Sequence, residues 1–339
     1  MKFSCSILLI LLLSRAFVGY SQTAKDYFDK GNAKSDIKDY NGAILDFTKA
    51  IEMNPNYAEA YINRGVVKLR ISDFAEAIID CTKAIEINSK DPLPYFIRGF
   101  ANNSLKDFSS SVSDFSMAIE IDHNFAEAYF ARGDSKNNLQ DYRGAIGDFN
   151  KTLEITPTNA NAYHNRGKAK FFLQDNSGAI LDFNKALEIN PQNADSYCIR
   201  GTAKIGMEDY LGAMSDFTSS LEIDKNSTSA FLNRGVTKSI LQDYRGGIAD
   251  FTNVINIDPD YFAAYCGRGD AKKNLKDYNG AIADYTKAIE IYSKYADAYY
   301  KRGLIKIGIG QKDSGCLDLS KAGELGDAQA YEKIKELCQ

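Results

Sequence analysis

Histidine occurs twice in 339 residues, and no apolar run reaches the roughly 20 residues that a bilayer-spanning helix needs. The second scarcity excludes a stable membrane span. The first leaves little for a metal centre, because neither His123 nor His164 has a Cys, His or carboxylate partner at ligand spacing. A basic excess is missing too. Lys and Arg number 41 against 45 Asp and Glu, a net charge of -4, which argues against a nucleic-acid partner. No glycine-rich phosphate loop stands apart from the other glycines, and no nucleophile–base pair is singled out. Catalytic residues, metal and cofactor are all expected to be absent, with an enzyme as a remote alternative.

Residues 1–21 differ from the rest. Lys2 precedes the apolar run Ile7–Leu13, and Gly19 and Ser21 are small residues ahead of Gln22. That is the layout of a secretory signal peptide. The expectation is export to the periplasm or medium after cleavage near Ser21/Gln22. Cleavage removes Lys2 and Arg15 and no acid, leaving a charge of about -6.

What fills the chain is a period. Glycines recur every 34 residues, from Gly31, Gly65 and Gly99 to Gly303, nine times without insertion or deletion. Such a period marks a stacked array in which each unit contacts mainly its neighbours. With the glycine at position 8, units start near 24, 58, 92, 126, 160, 194, 228, 262 and 296. Position 4 is aromatic (Tyr27 to Tyr299), position 20 small (Ala43 to Gly315), and position 24 mostly Phe, with Cys81, Tyr285 and Leu319 as exceptions. Positions 20, 24 and 27 share one helical face, and positions 1, 4, 5 and 8 share another. Aspartate at position 16, from Asp39 to Asp277, suits the N-cap of a second helix. Proline at position 32 (Pro55, Pro157, Pro191, Pro259) sits where that helix must stop. Each unit is therefore two antiparallel helices.

Charges keep the same register. Position 7 is Arg in eight units, including Arg64, Arg98, Arg132 and Arg166. Position 23 is Asp in all nine, including Asp80, Asp114, Asp148 and Asp182. Position 11 is Lys except at Asn102. Such uniformity predicts partly buried, structural ion pairs between positions 7 and 23, within a unit or across a boundary, with the lysine as a second donor.

The aromatic-x-x-x-Gly, small, Phe, Ala and Pro pattern resembles the tetratricopeptide repeat, over about residues 24–323. The array is placed at 22–323 and a C-terminal capping helix at 324–339, with Ala328, Ala330, Tyr331, Ile334 and Leu337 covering the open end. The resemblance implies an all-α solenoid, a right-handed superhelix of antiparallel helix pairs making about one turn. First helices would line a concave groove, and second helices would form the convex back. Leu and Tyr, usual in the family at positions 7 and 11, are replaced here by the charged residues above.

By the same resemblance, positions 2, 5, 9 and 12 face the groove. They place Ile62, Val66, Leu69, Phe96, Phe100, Phe130, His164 and Phe171 on or near its wall. One reading is an exposed apolar binding patch. The other is burial of these residues between adjacent first helices. The family's carboxylate clamp for chaperone C-termini is not expected, because Leu93 and Ile97 stand where its basic pair belongs.

Among the cysteines, Cys81 reads as core packing, and Cys198 and Cys266 are two units apart. Cys316 and Cys338 fall level on antiparallel helices, either as a disulfide in an oxidising compartment or as two free thiols. The expected function is a non-enzymatic protein-interaction scaffold binding a peptide or protein segment of unknown identity in the groove. The alternative is a structural subunit of an envelope assembly that packs through its convex face or ends.

Overall fold

The computed structural model describes residues 22–338, so the signal-peptide reading of residues 1–21 lies outside the described residues. The described chain contains nineteen α-helices and no strand. They fall into two compact bodies that divide at Pro157/Thr158.

The first body holds four units: α1 (Ala24–Asp36) with α2 (Tyr40–Met53), α3 (Ala58–Arg70) with α4 (Phe74–Ile87), α5 (Pro92–Ser104) with α6 (Phe108–Ile121), and α7 (Ala126–Asn138) with α8 (Tyr142–Ile155). The second holds five: α9 (Ala160–Phe172) with α10 (Asn176–Ile189), α11 (Ala194–Ile205) with α12 (Tyr210–Ile223), α13 (Thr228–Ile240) with α14 (Tyr244–Ile257), α15 (Phe262–Asn274) with α16 (Tyr278–Ile291), and α17 (Ala296–Gly308) with α18 (Lys312–Glu324). The single helix α19 (Ala328–Leu337) follows. Within each body, the two helices of a unit pack together, and each second helix packs on the next unit's first helix.

The position 8 glycine is required by a ring. Phe149 is fully buried beneath Gly133, and a Cβ added to Gly133 would lie 2.8 Å from that ring. Phe47, Phe115, Phe183 and Phe217 are equally buried. Each such side chain contributes roughly 1.5–3 kcal/mol by leaving water.

The turn between paired helices is tight. Position 15 takes a left-handed backbone at Lys38, Ser72, Lys106, Gln140, Gln174, Glu208, Gln242 and Lys276, and at Gly310 in the last unit. The next residue's N–H then reaches back into the first helix, as Asp39 does to the Lys34 carbonyl at 2.9 Å. Asp39 also caps α2, accepting from the Gly42 N–H at 3.0 Å. In unit two, where Glu76 replaces that glycine, Asp73 makes no side-chain cap bond.

The end helix is less of a lid than its pattern predicts. Ala330 is its buried residue, whereas Ala328 is exposed and Tyr331 is 53% exposed, with its ring close over Gly323. A lone ten-residue helix lying on α18 presents only a narrow seam.

Candidate functional site

The charges at positions 7, 11 and 23 converge between the paired helices. Arg98 on α5 donates through Nε and Nη2 to Asp114 on α6, the closest contact being 2.7 Å. Arg64–Asp80, Arg132–Asp148 and Arg166–Asp182 are built alike. Asp80, Asp114, Asp148 and Asp182 are buried, and the arginines are half-buried. The position 11 lysine also reaches the aspartate, as Lys136 Nζ does to Asp148 Oδ2 at 2.9 Å. Asn102 takes that role for Asp114 at 3.0 Å.

The third guanidinium arm leaves the unit. Nη1 of Arg64 donates to the Thr48 hydroxyl at 2.9 Å, and that of Arg98 to Thr82 at 3.1 Å, each on the preceding unit. In the second body Arg268 reaches Thr252, and Arg200 reaches the Asn184 amide oxygen. These acceptors all stand at position 25, where every unit carries Thr, Ser or Asn. Beneath each arginine lies the position 4 ring, 5.3–5.8 Å from the guanidinium carbon to the ring centre. Within each body the uniform charges thus link paired helices to each other and successive units to one another.

The expected groove residues separate. In the first body Ile62 is buried with Cys81 and Ile97, and Val66 and Leu69 pack half-buried on that cluster. Phe96 is half-buried, its ring 5.6 Å from Phe115 and 4.8 Å from Phe125. Phe130 stands 5.8 Å from Phe149. Position 5 thus faces the position 24 ring, so Ile62 and His164 are packing residues and not an open wall. Position 9 is different. Phe100 is 47% exposed, and so is Leu93, seven residues earlier on the same face of α5. Phe96 lies 6.1 Å from Phe100 and continues the strip inward. In the second body Phe171 is half-buried beside the exposed Phe172.

His164 has partners that spacing alone did not reveal, because they lie one unit on. Its Nδ1 shares a 2.7 Å hydrogen bond with the Ser196 hydroxyl, and its Nε2 is 3.2 Å from Asp195. The bond to His164 holds the Asp195 carboxyl below its ordinary pKa, against some opposing burial. The residue types are those of a hydrolytic triad, but Ser196 is fully buried. A sealed hydroxyl cannot reach a substrate carbonyl, and the cluster instead ties α9 to α11.

A second polar cluster arises where unit eight has Tyr285 in place of Phe. The Tyr285 hydroxyl donates to Asp270 at 2.8 Å, and Lys301 lies 2.9 Å from both Asp270 and Asp297. Burial, then Asp270, pushes the Tyr285 hydroxyl far above its ordinary pKa.

Cys316 and Cys338 are joined in a disulfide, with Cα atoms 5.8 Å apart. Cys81, Cys198 and Cys266 are free and buried, and burial pushes their thiols up to about 12, 11 and 12. Among the described residues no group of three or more His, Cys, Asp or Glu is placed to hold a metal, and no helix is long and apolar enough to cross a membrane.

The profile described as TPR repeat matches residues 31–72 and 269–308, and that of the tetratricopeptide repeat matches 58–91 and 160–193. No curated protein matches the chain. Among solved structures, the C-terminal part of a TPR repeat-containing protein from Cytophaga hutchinsonii is similar at 18% identity, over 71% of this chain and 98% of its own, with a TM-score of 0.59. A tetratricopeptide repeat protein from Parabacteroides merdae is 23% identical over 72% of this chain and 95% of its own, with a TM-score of 0.54. YrrB, described as a TPR protein with an unusual peptide-binding site, is 25% identical over 54% of this chain and 95% of its own, with a TM-score of 0.48. The first two likenesses show the same helix-pair fold.

Proposed function

Because the chain is a tetratricopeptide-repeat protein, an all-α solenoid whose fold is that of protein-interaction scaffolds, we propose that it captures an apolar segment of a partner protein along the first helices of units two to four. The observation that carries this reading is the strip on α5. Leu93 and Phe100 each keep 47% of their surface in water, and Phe96 continues the strip inward. Single exposed apolar residues are ordinary; two large ones on one helical face, continued by a half-buried ring, are a contact surface. We also infer export with loss of residues 1–21. The Cys316–Cys338 disulfide supports that inference, since such bonds persist in oxidising compartments.

The test is affinity capture from the producing cell's envelope and medium with residues 22–339 as bait. A Leu93→Asp/Phe100→Asp bait is run beside it. Both side chains already stand in water, so that variant should keep its helicity. Aspartate at Phe96 or Phe130 would instead enter the packing between helices. A partner held by the first bait and lost from the second supports the reading. The same partner on both sinks it. Sequencing the N-terminus of exported material should return Gln22 as the first residue; material beginning earlier would overturn the cleavage site.

A second reading rests on its own observation. Leu45 and Ile79 occupy position 22 of successive second helices and are 64% and 58% exposed. They suit assembly through the backs of the units. Leu45→Lys/Ile79→Lys would then abolish a stable complex that Leu93→Asp/Phe100→Asp leaves intact.

A further inference from the structure

In the second body, α15, α16 and α17 line a half-open pocket of about 550 Å³. Tyr300 and Leu304 line it from α17, Ile309 from the C-cap that follows, and Tyr278 from α16, so most of its wall is apolar. That volume lies within the range of small-ligand sites, roughly 300–1,000 Å³. It holds two amines. Lys301 is compensated by Asp270 and Asp297. Lys273 is half-buried on the wall and, among the described residues, has no carboxylate within ion-pair distance. An ammonium beside apolar surface without a counter-ion favours an anion that brings its own apolar body. One available amine suits a single negative charge; a phosphate dianion would ask for more donors.

We propose that this cavity binds a monocarboxylate with an apolar body, its carboxylate on Lys273 and its chain against Leu304 and Tyr300. The carboxylate belongs either to a free acid or to the C-terminal residue of a peptide. The site is separate from the strip on α5 and does not depend on the peptide-capture reading.

Gly308 offers a way to close the cavity. It lines the space at the end of α17, and a Cβ added there meets nothing within 4 Å. Phenylalanine at that place should fill the cavity and leave the melting temperature unchanged. The test is titration calorimetry on residues 22–339 with the disulfide intact. The probes are 4-phenylbutyrate and its amide, and an acetylated hexapeptide ending in leucine as acid and as amide. At least one acid should bind about tenfold more tightly than its amide. Lys273→Gln should bring that acid down to the amide's level, and Gly308→Phe should abolish binding of both. Phenylbutyrate binding identifies a free acid as the ligand; binding of the peptide acid alone identifies a chain terminus. If neither acid binds, if acid and amide bind alike, or if Lys273→Gln changes nothing, the proposal is overturned. Lys273→Gln touches only a half-buried side chain, so it decides the matter even where Gly308→Phe lowers stability.

Discussion

An arginine has five donors in a fixed fork and can serve several acceptors at once. Arg98 uses all three of its nitrogens, two on Asp114 and one on Thr82. Asp114→Ala leaves that guanidinium half-buried without its counter-charge, a loss of about 3–5 kcal/mol. Calorimetry should show a sharply lower melting temperature; an unchanged one would mean the pair carries no stability. The thiols give a prediction of opposite chemistry. Cys81 and Cys266 ionise at about 12 in the folded chain against an ordinary 9.0, with burial the main cause. The unfolded chain therefore ionises first. Stability from these thiols is intact below pH 9 and erodes as pH rises from 9 toward 12. At pH 8, a disulfide reagent such as Ellman's should label Cys81, Cys198 and Cys266 only after denaturation. Rapid labelling of the native protein would contradict their burial.

Helix order, pairing and caps were legible because their signals repeat in register. The position 16 aspartate announces an N-cap, and the position 8 glycine announces a close ring. The left-handed turn residue was not legible. It is Lys, Ser, Gln or Glu in eight units, and only Gly310 carries the usual residue type. The fold imposes that backbone on residues that do not favour it, at a cost a glycine avoids. Gln140→Gly should raise stability by up to about 1 kcal/mol, measured by denaturant titration; a loss would show that the Gln140 side chain contributes more than its backbone costs. The partners of His164 were hidden for another reason. Asp195 and Ser196 are about one unit away, and no short motif spans that distance. At the chain's end, α19 buries little beyond Ala330 and is held by the Cys316–Cys338 bond. Reduction should speed amide exchange in α19 while α18 stays protected. Equal protection before and after reduction would show that packing alone holds the helix.

Across the molecule, stability accrues unit by unit, since each unit contacts mainly its neighbours. The exchange rates of Asp114→Ala should therefore rise most in units two to four and fade with distance; a uniform rise would point to all-or-none unfolding. The resemblance places the groove wall at positions 2, 5, 9 and 12 of the first helices, but packing decides which of those residues stay in water. Position 5 went to the interior, and position 9 remained outside at Phe100.

Within each body, the arm that an arginine extends to the preceding unit bears on how such a chain can change. Units two to nine each carry both halves of the joint, an arginine donor at position 7 and an acceptor at position 25. A duplicated or deleted 34-residue stretch would meet its new neighbours with the same joint already complete. Length is thus free to vary by recombination in whole units while the interior chemistry stays as it is. The strip on α5 and the cavity beside Lys273 could then drift apart or together, one unit at a time.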